Sequence, residues 1–480
     1  MRYILNEDVG LRRWRRVPFA YYRRSERNAR GVLKETFDLL LRCDGIQEIE
    51  DDEAIAPLVV RKLCHPAGEG ERLTSWQRFR SYDNEYFPAM NWMLTGKCNL
   101  NCLHCFNAAD NARLQSEFQP EEAMRLIDEA AACGIHAFTL TGGEPMFHRD
   151  FMRIFRSIYE RDMFVEELNT NGTFITREIL REMKSMGAKP KFKISFDGVG
   201  WHDWLRNQKG AEESALRAIA LCVEEGFEVM AQTNVHRLNA DAMLPTAKLL
   251  SGMGVSGMRI IRTSEAPRWK ENAGDAGLPW NEYFDRMLEF MELYVQTGCA
   301  MDVNIWQMAL VYPTLREYRP AAVCCDAGEY RDTLPVCRCN RGLVAVAADG
   351  NLYPCHQVSG CYVKSGKFLG NVKADGLQKH LQEGAYLREV QTTLKQLREN
   401  NHQCASCQWF RYCCGGCRAY AEALTGDRFG VDISKCIFFK QGYLEKLADA
   451  LKGYACNVHL SAIFAGNNDI QDVRRKEKTT

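Results

Sequence analysis

The chain has 480 residues, more than one hydrophobic core usually organises, so two or three domains are expected. Lysine plus arginine equals aspartate plus glutamate, 62 against 62, and no run of 18 apolar residues or export signal is seen; the expectation is a cytoplasmic protein with no nucleic-acid or membrane partner. Twenty-one cysteines in such a chain argue for metal or redox use rather than a disulfide framework.

Residues 1–85 carry only Cys43 and Cys64 and read as a separate domain. A basic, aromatic opening, Leu11 to Arg16 and then Ala20 to Arg24, reads as two short strands. Helical patterns follow over 31–41 and 53–63, with a turn at Cys43, Asp44 and Gly45 between them. This strand-then-helix module resembles the small peptide-recognition domains related to the protein PqqD. It reads equally as a packing extension whose arginines form a solvated face.

From 86 to 263 strand and helix alternate. An apolar run, Ala89 to Leu94, leads into Cys98, Cys102 and Cys105. Three thiols so close favour iron-sulfur or zinc; a closed zinc site takes four protein ligands, so the lone C-x3-C-x2-C fits a cluster with one open metal position. A zinc knuckle completed by His104 or His136 is the alternative. Strand patterns at 136–140, 165–168, 191–195, 228–232 and 257–261 alternate with amphipathic helices at 121–132, 150–161, 177–186, 213–225 and 240–253. These six β/α units imply parallel strands, in a barrel or an open doubly wound sheet. The strand ends carry Thr141 to Pro145, Asn169 to Gly172 and Ser195 to Gly198, on the side where such folds place ligands. Glycines at 142 and 143 let backbone approach a ligand, and Glu144 can pair with an ammonium.

Residues 264–323 read as a linker with helices over 283–296 and 305–312. In 324–456, Cys339, Gly350, Cys355, Cys404, Cys407, Cys413, Cys417 and Cys436 form the series C-x10-G-x4-C, gap, C-x2-C-x5-C-x3-C, gap, C. Residues 343–355 read as a hairpin with an Asp349-Gly350 turn, and 457–480 as a polar tail.

The first cysteine motif and the strand ends after it resemble the radical S-adenosylmethionine (SAM) superfamily; the second series resembles its SPASM extension. The resemblance implies an α/β fold: a partial (β/α)6 barrel with a small N-terminal α+β domain and a cysteine-rich C-terminal SPASM domain. It implies three [4Fe-4S] clusters. One on Cys98, Cys102 and Cys105 would bind SAM. Gly142, Gly143, Glu144 and Pro145 would hold the SAM amino group, Asn171 and Ser195 its ribose and methionine, Arg206 its carboxylate and Ile261 its adenine. Of two auxiliary clusters, one would take Cys339, Cys355 and Cys417, the other Cys404, Cys407, Cys413 and Cys436. The eighth ligand would be Cys337, with Cys324, Cys325 or an open iron as alternatives. His356 stands where sulfatase-maturing relatives carry an aspartate base, and is either a base or a cap on the hairpin. The implied activity is oxidation of a precursor peptide or protein through a 5′-deoxyadenosyl radical, with a thioether or carbon-carbon crosslink first, and with flavodoxin or ferredoxin as reductant. Single-side-chain oxidation, as in sulfatase maturation, and a non-catalytic iron-sulfur carrier are the alternatives.

Overall fold

The computed structural model describes residues 1–26, 28–50, 52–106, 116–264, 266–326, 328–337 and 342–460; Cys339 and the polar tail beyond 460 lie outside these. The opening module contains β1 (Arg2–Leu5), β2 (Val9–Arg13), β3 (Ala20–Arg23), β4 (Asn28–Gly31), α1 (Lys34–Leu41), β5 (Asp44–Glu48), α2 (Asp52–Val60), β6 (Cys64–Pro66) and β7 (Arg80–Ser81). They form two small sheets, ordered β5-β1-β6 and β4-β3-β2-β7. Tyr3, Leu5, Val9, Leu11, Phe37 and Leu40 give the module a core of its own. At the turn expected at Cys43 to Gly45, Arg42 and Cys43 N–H close back on Leu39 O and Leu40 O at the end of α1, and Asp44 and Gly45 already begin β5. Gly45 takes φ +77° there, and the Ile46 and Gln47 N–H groups donate to Asp44 Oδ1, so the residues kink the strand without reversing it.

The central elements are β8 (Ala89–Thr95), α3 (Pro120–Ala132), β9 (Ala137–Gly142), α4 (Phe151–Tyr159), β10 (Phe164–Thr170), α5 (Arg177–Ser185), β11 (Lys191–Ser195), α6 (His202–Arg206), α7 (Ala211–Glu224), β12 (Val229–Val235), α8 (Met243–Gly252) and β13 (Gly257–Arg262). Strands β8 to β13 are parallel neighbours in sequence order. That order excludes the reversal of a doubly wound sheet and leaves the singly wound arrangement of a barrel wall. Apolar positions at helical and alternate spacing bury one continuous core, from Trp92, Phe138 and Leu140 to Ile194, Ala231 and Ile260.

Beyond β13 come α9 (Pro267–Asn272), α10 (Trp280–Tyr294), β14 (Asp302–Ile305), β15 (Ala309–Tyr312), β16 (Glu317–Pro320), β17 (Leu343–Val346), β18 (Leu352–Tyr353) and, near the end, β19 (Ala455–Cys456). The helix expected over 305–312 is a correction: Ile305 pairs with Ala309 across a tight hairpin, and Gln307 adopts φ +64° at its tip. Strand β14 extends the sheet beside β13, and β17 runs parallel along β8, so among the described strands the two outer members of the six are extended rather than joined to each other. The expected hairpin at 343–355 is present, with β17 antiparallel to β18 and Cys355 just past β18. It therefore sits against the core. No described helix is long and apolar enough to cross a membrane.

Candidate functional site

The three loop cysteines follow the C-terminal end of β8, beside the ends of β9 to β12. Cys102 is buried; Cys98 is exposed yet feels the charges of Glu144, Cys102 and Cys105. The loop is fixed from three sides. Gly143 N–H donates to Thr95 O at 2.7 Å and Glu144 N–H to Lys97 O at 2.9 Å; Leu103 N–H donates to Leu205 O at 2.9 Å. Here the glycines are needed for proximity: a Cβ on Gly142 would lie 2.3 Å from Thr95 O, and one on Gly143 2.3 Å from Lys97 O.

Glu144 is fully buried. Its carboxylate accepts from Met146 N–H at 3.1 Å, Asn171 N–H at 2.7 Å and the Thr170 hydroxyl at 2.8 Å. Three of about four lone-pair positions are thus used by neutral donors, which leaves one for a further donor. Burial raises its pKa to about 7. Pro145 opens the 3-10 turn that Glu144 caps. The Asn171 side-chain amide donates to Asn99 Oδ1 at 2.9 Å and reaches Cys98 Sγ at 3.9 Å.

Ser195 ends β11 opposite Gln232 of β12, and Ile261 stands opposite Asn234. Arg206, buried at the end of α6, donates from Nε to Asp197 Oδ2 at 2.6 Å and reaches Cys102 Sγ at 3.8 Å. Asp197 also accepts from Asn234 N–H at 2.9 Å, while its own N–H donates to His202 Nδ1 at 3.0 Å. Burial opposes its charge, but Arg206 and His202 outweigh this and hold the carboxyl well below the usual range. The sequence reading missed Asp197, Asn99 and His202; an aspartate after a strand is an ordinary turn former, and only its partners show otherwise. His104 meets the Asn234 amide at 3.1 Å. His136 lies at the opposite end of the sheet, where Arg12 Nε reaches its Nε2 at 3.2 Å, so it cannot complete a zinc knuckle with these cysteines.

Among the other described cysteines, those of the second series fall into two groups. Cys355 feels Cys417 and Cys337, and Cys417 feels Cys337. Cys404, Cys407, Cys413 and Cys436 line one narrow cavity. Cys324 faces Cys413 and Cys414, and Cys414 Sγ lies 3.2 Å from Cys325 Sγ. Of the three upstream candidates, Cys337 is thus the one brought to Cys355 and Cys417. Cys414 is buried, whereas Cys361 and Cys456 are only half-buried. Among the described residues no three such side chains close on a single-ion position; a four-iron cluster binds each thiolate to a different iron and needs wider spacing. His356 follows Cys355, and its Nε2 meets Asn91 O of β8 at 3.1 Å; its Nδ1 is buried without a partner, and burial lowers its pKa to about 4.

Open-ended cysteine loop, glycine cradle and buried carboxylate define an iron-sulfur enzyme site at the end of a parallel α/β sheet. The chain matches the family models described as "Radical SAM superfamily" over residues 92–250 and as "Iron-sulfur cluster-binding domain", SPASM, over 337–408. It thus carries a radical SAM domain over residues 92–250 and a SPASM region over 337–408. It is 26% identical to an AdoMet-dependent heme synthase of Methanosarcina barkeri, over 70% of this chain and 92% of that one. To a PqqA peptide cyclase of Granulibacter bethesdensis it is also 26% identical, over 70% and 83%. Its fold is similar to that of SuiB from Streptococcus suis bound to precursor peptide SuiA, with a TM-score of 0.65 at 12% identity, covering 90% of this chain and 99% of that one.

Proposed function

We propose that the protein is a radical SAM maturase that oxidises a peptide or protein substrate, with thioether or carbon-carbon crosslinking as the reaction. The observation that carries this is the pair of cysteine groups beside the core, Cys337, Cys355 and Cys417, then Cys404, Cys407, Cys413 and Cys436. They offer thiols for two auxiliary clusters, which suits net two-electron oxidation. Among similar proteins, one is named for a peptide and another was crystallised with its precursor peptide. The likeness to the latter spans 90% of the chain, more than the 395 of 480 residues left after 1–85, so part of the opening module shares that fold.

The residues fit the implied cofactors. Cys98, Cys102 and Cys105 would hold the SAM-binding cluster, Glu144 offers one acceptor position to the amino group of SAM, and Arg206, already anchored by Asp197, presents its guanidinium beside Cys102. Bound and reduced, such a cluster supplies homolytic cleavage of SAM to a 5′-deoxyadenosyl radical. The chain's own part is orientation: Asn171 ties the cluster loop to Glu144, and Asp197 ties strand β11 to α6 and β12. Electrons would come from a flavodoxin or ferredoxin. Heme synthases among the similar proteins favour a second reading, an iron-porphyrin substrate.

Protein reconstituted without oxygen should hold about twelve irons and as many sulfides. Exchanging Cys98, Cys102 and Cys105 for alanine should remove about four irons and all reductive SAM cleavage. Only about four irons in the unaltered protein would sink the auxiliary-cluster reading. Turnover with SAM, dithionite and either a precursor peptide encoded nearby or an iron-porphyrin separates the substrate readings by which one loses hydrogen.

A further inference from the structure

Lys435 is buried, yet the hydrogen bond its ammonium makes is a long one, 3.3 Å to the carbonyl of Ala321. It lines the cavity of Cys404, Cys407, Cys413 and Cys436. The nearest carboxylate on that wall, Asp432, is committed elsewhere: Oδ1 accepts from Ser434 N–H at 3.0 Å and from its hydroxyl at 2.5 Å, Oδ2 from Cys417 N–H at 2.7 Å and Gln307 at 3.5 Å. Lys440 lines the same cavity, and buried Arg418, which acts on the Cys404 thiol, donates only to backbone carbonyls of Arg428, Gly430 and Gly415. On the wall itself, buried Lys435 and exposed Lys440 stand against one carboxylate. Burying an ammonium without a counter-charge is unfavourable, so the wall makes sense when the cavity holds negative charge. Four thiolates around a four-iron cluster carry it.

We infer that Lys435 is the counter-cation of the cluster at Cys404, Cys407, Cys413 and Cys436, and that it raises that cluster's reduction potential. This rests on the cluster reading above. A nearby positive charge favours the reduced state, which is one charge more negative. Lys435 is a positioning residue that acts through the cluster.

The test is a reductive titration of the full-length reconstituted protein followed by electron paramagnetic resonance, with thermal melts of the metal-free form. Lys435→Met should lower one cluster's midpoint by at least tenfold in the reduction equilibrium, about 59 mV for one electron, while Lys435→Arg stays within about threefold. Metal-free Lys435→Met should melt no lower than the metal-free parent, because it loses an uncompensated cation. Loss of about four irons with that melting point kept supports the same role. Unchanged midpoints in fully loaded Lys435→Met would overturn it. So would a metal-free variant melting below the parent, which makes Lys435 a partner of Asp432. If Cys404→Ala with Cys407→Ala removes no iron, the cluster reading itself fails.

Discussion

Glu144 shows what a single residue contributes here. Its three partners are neutral, and burial raises its pKa from 4.5 to about 7. The folded state therefore holds the proton more tightly than the unfolded chain. The resulting stability is fully present below pH 4.5 and lost as pH rises through about 7, roughly 3 kcal/mol in all. Melting the cofactor-free protein across that window should show a fall with pH that Glu144→Gln lacks. An ammonium at the open acceptor position would favour the charged form, so the same variant should bind SAM at least tenfold less tightly, about 1.4 kcal/mol. A variant with the parent's pH slope would place the titration elsewhere. This residue was legible in the sequence because its neighbours Gly142, Gly143 and Pro145 allow close approach at a strand end. Asp197 was not, since its meaning lies in Arg206, His202 and Asn234, which come 5 to 37 residues later.

At the scale of elements, the strands and helices of 86–263 were readable because apolar periodicity and glycines beyond helix ends agree with the tertiary fold. The hairpin at Gln307 was not: Ile305, Met308, Ala309 and Tyr312 carry helical spacing, and no glycine or asparagine marks the left-handed turn. Nor could local sequence show β17 pairing with β8, since partners such as Val344 and Met90 lie 254 residues apart. That pairing decides a functional matter. It brings Cys355 to the core, with His356 bonded to Asn91 O of β8. Cys355 and the SAM-site cysteines nonetheless belong to separate groups, so Cys355→Ala should keep uncoupled SAM cleavage nearly intact while modified peptide disappears. Measuring 5′-deoxyadenosine and product side by side checks this; an unaltered product rate would remove the proposed role of the auxiliary group.

For the whole molecule, the open matter is whether the opening module recognises substrate or only packs. The structure gives it features of both. It has its own core, yet Arg12 is buried against the sheet's base, donating to His136 Nε2 and to the carbonyls of Leu11, Trp76 and Arg78, and stacking on Trp76 at 4.4 Å. Trp14 and Tyr82 close over Gly134, where a Cβ would sit 2.7 and 2.5 Å from them. Cutting away residues 1–85 would expose this seam, so truncation should lower the melting temperature and SAM cleavage together, whatever else the module does. Recognition needs a change that spares the seam. Ile46 is 56% exposed on β5, an outer strand of the three-stranded sheet, where an extended peptide could add a strand. The neighbouring N–H groups of Ile46 and Gln47 are already taken by Asp44, so side-chain contact must carry more of the binding there than backbone pairing. Ile46→Asp should therefore weaken binding of a precursor peptide at least tenfold, about 1.4 kcal/mol, with folding and uncoupled SAM cleavage kept. Fluorescence anisotropy of labelled peptide reads the first, melting and 5′-deoxyadenosine the others. Binding as tight as the parent's would rule out β5 as the docking strand.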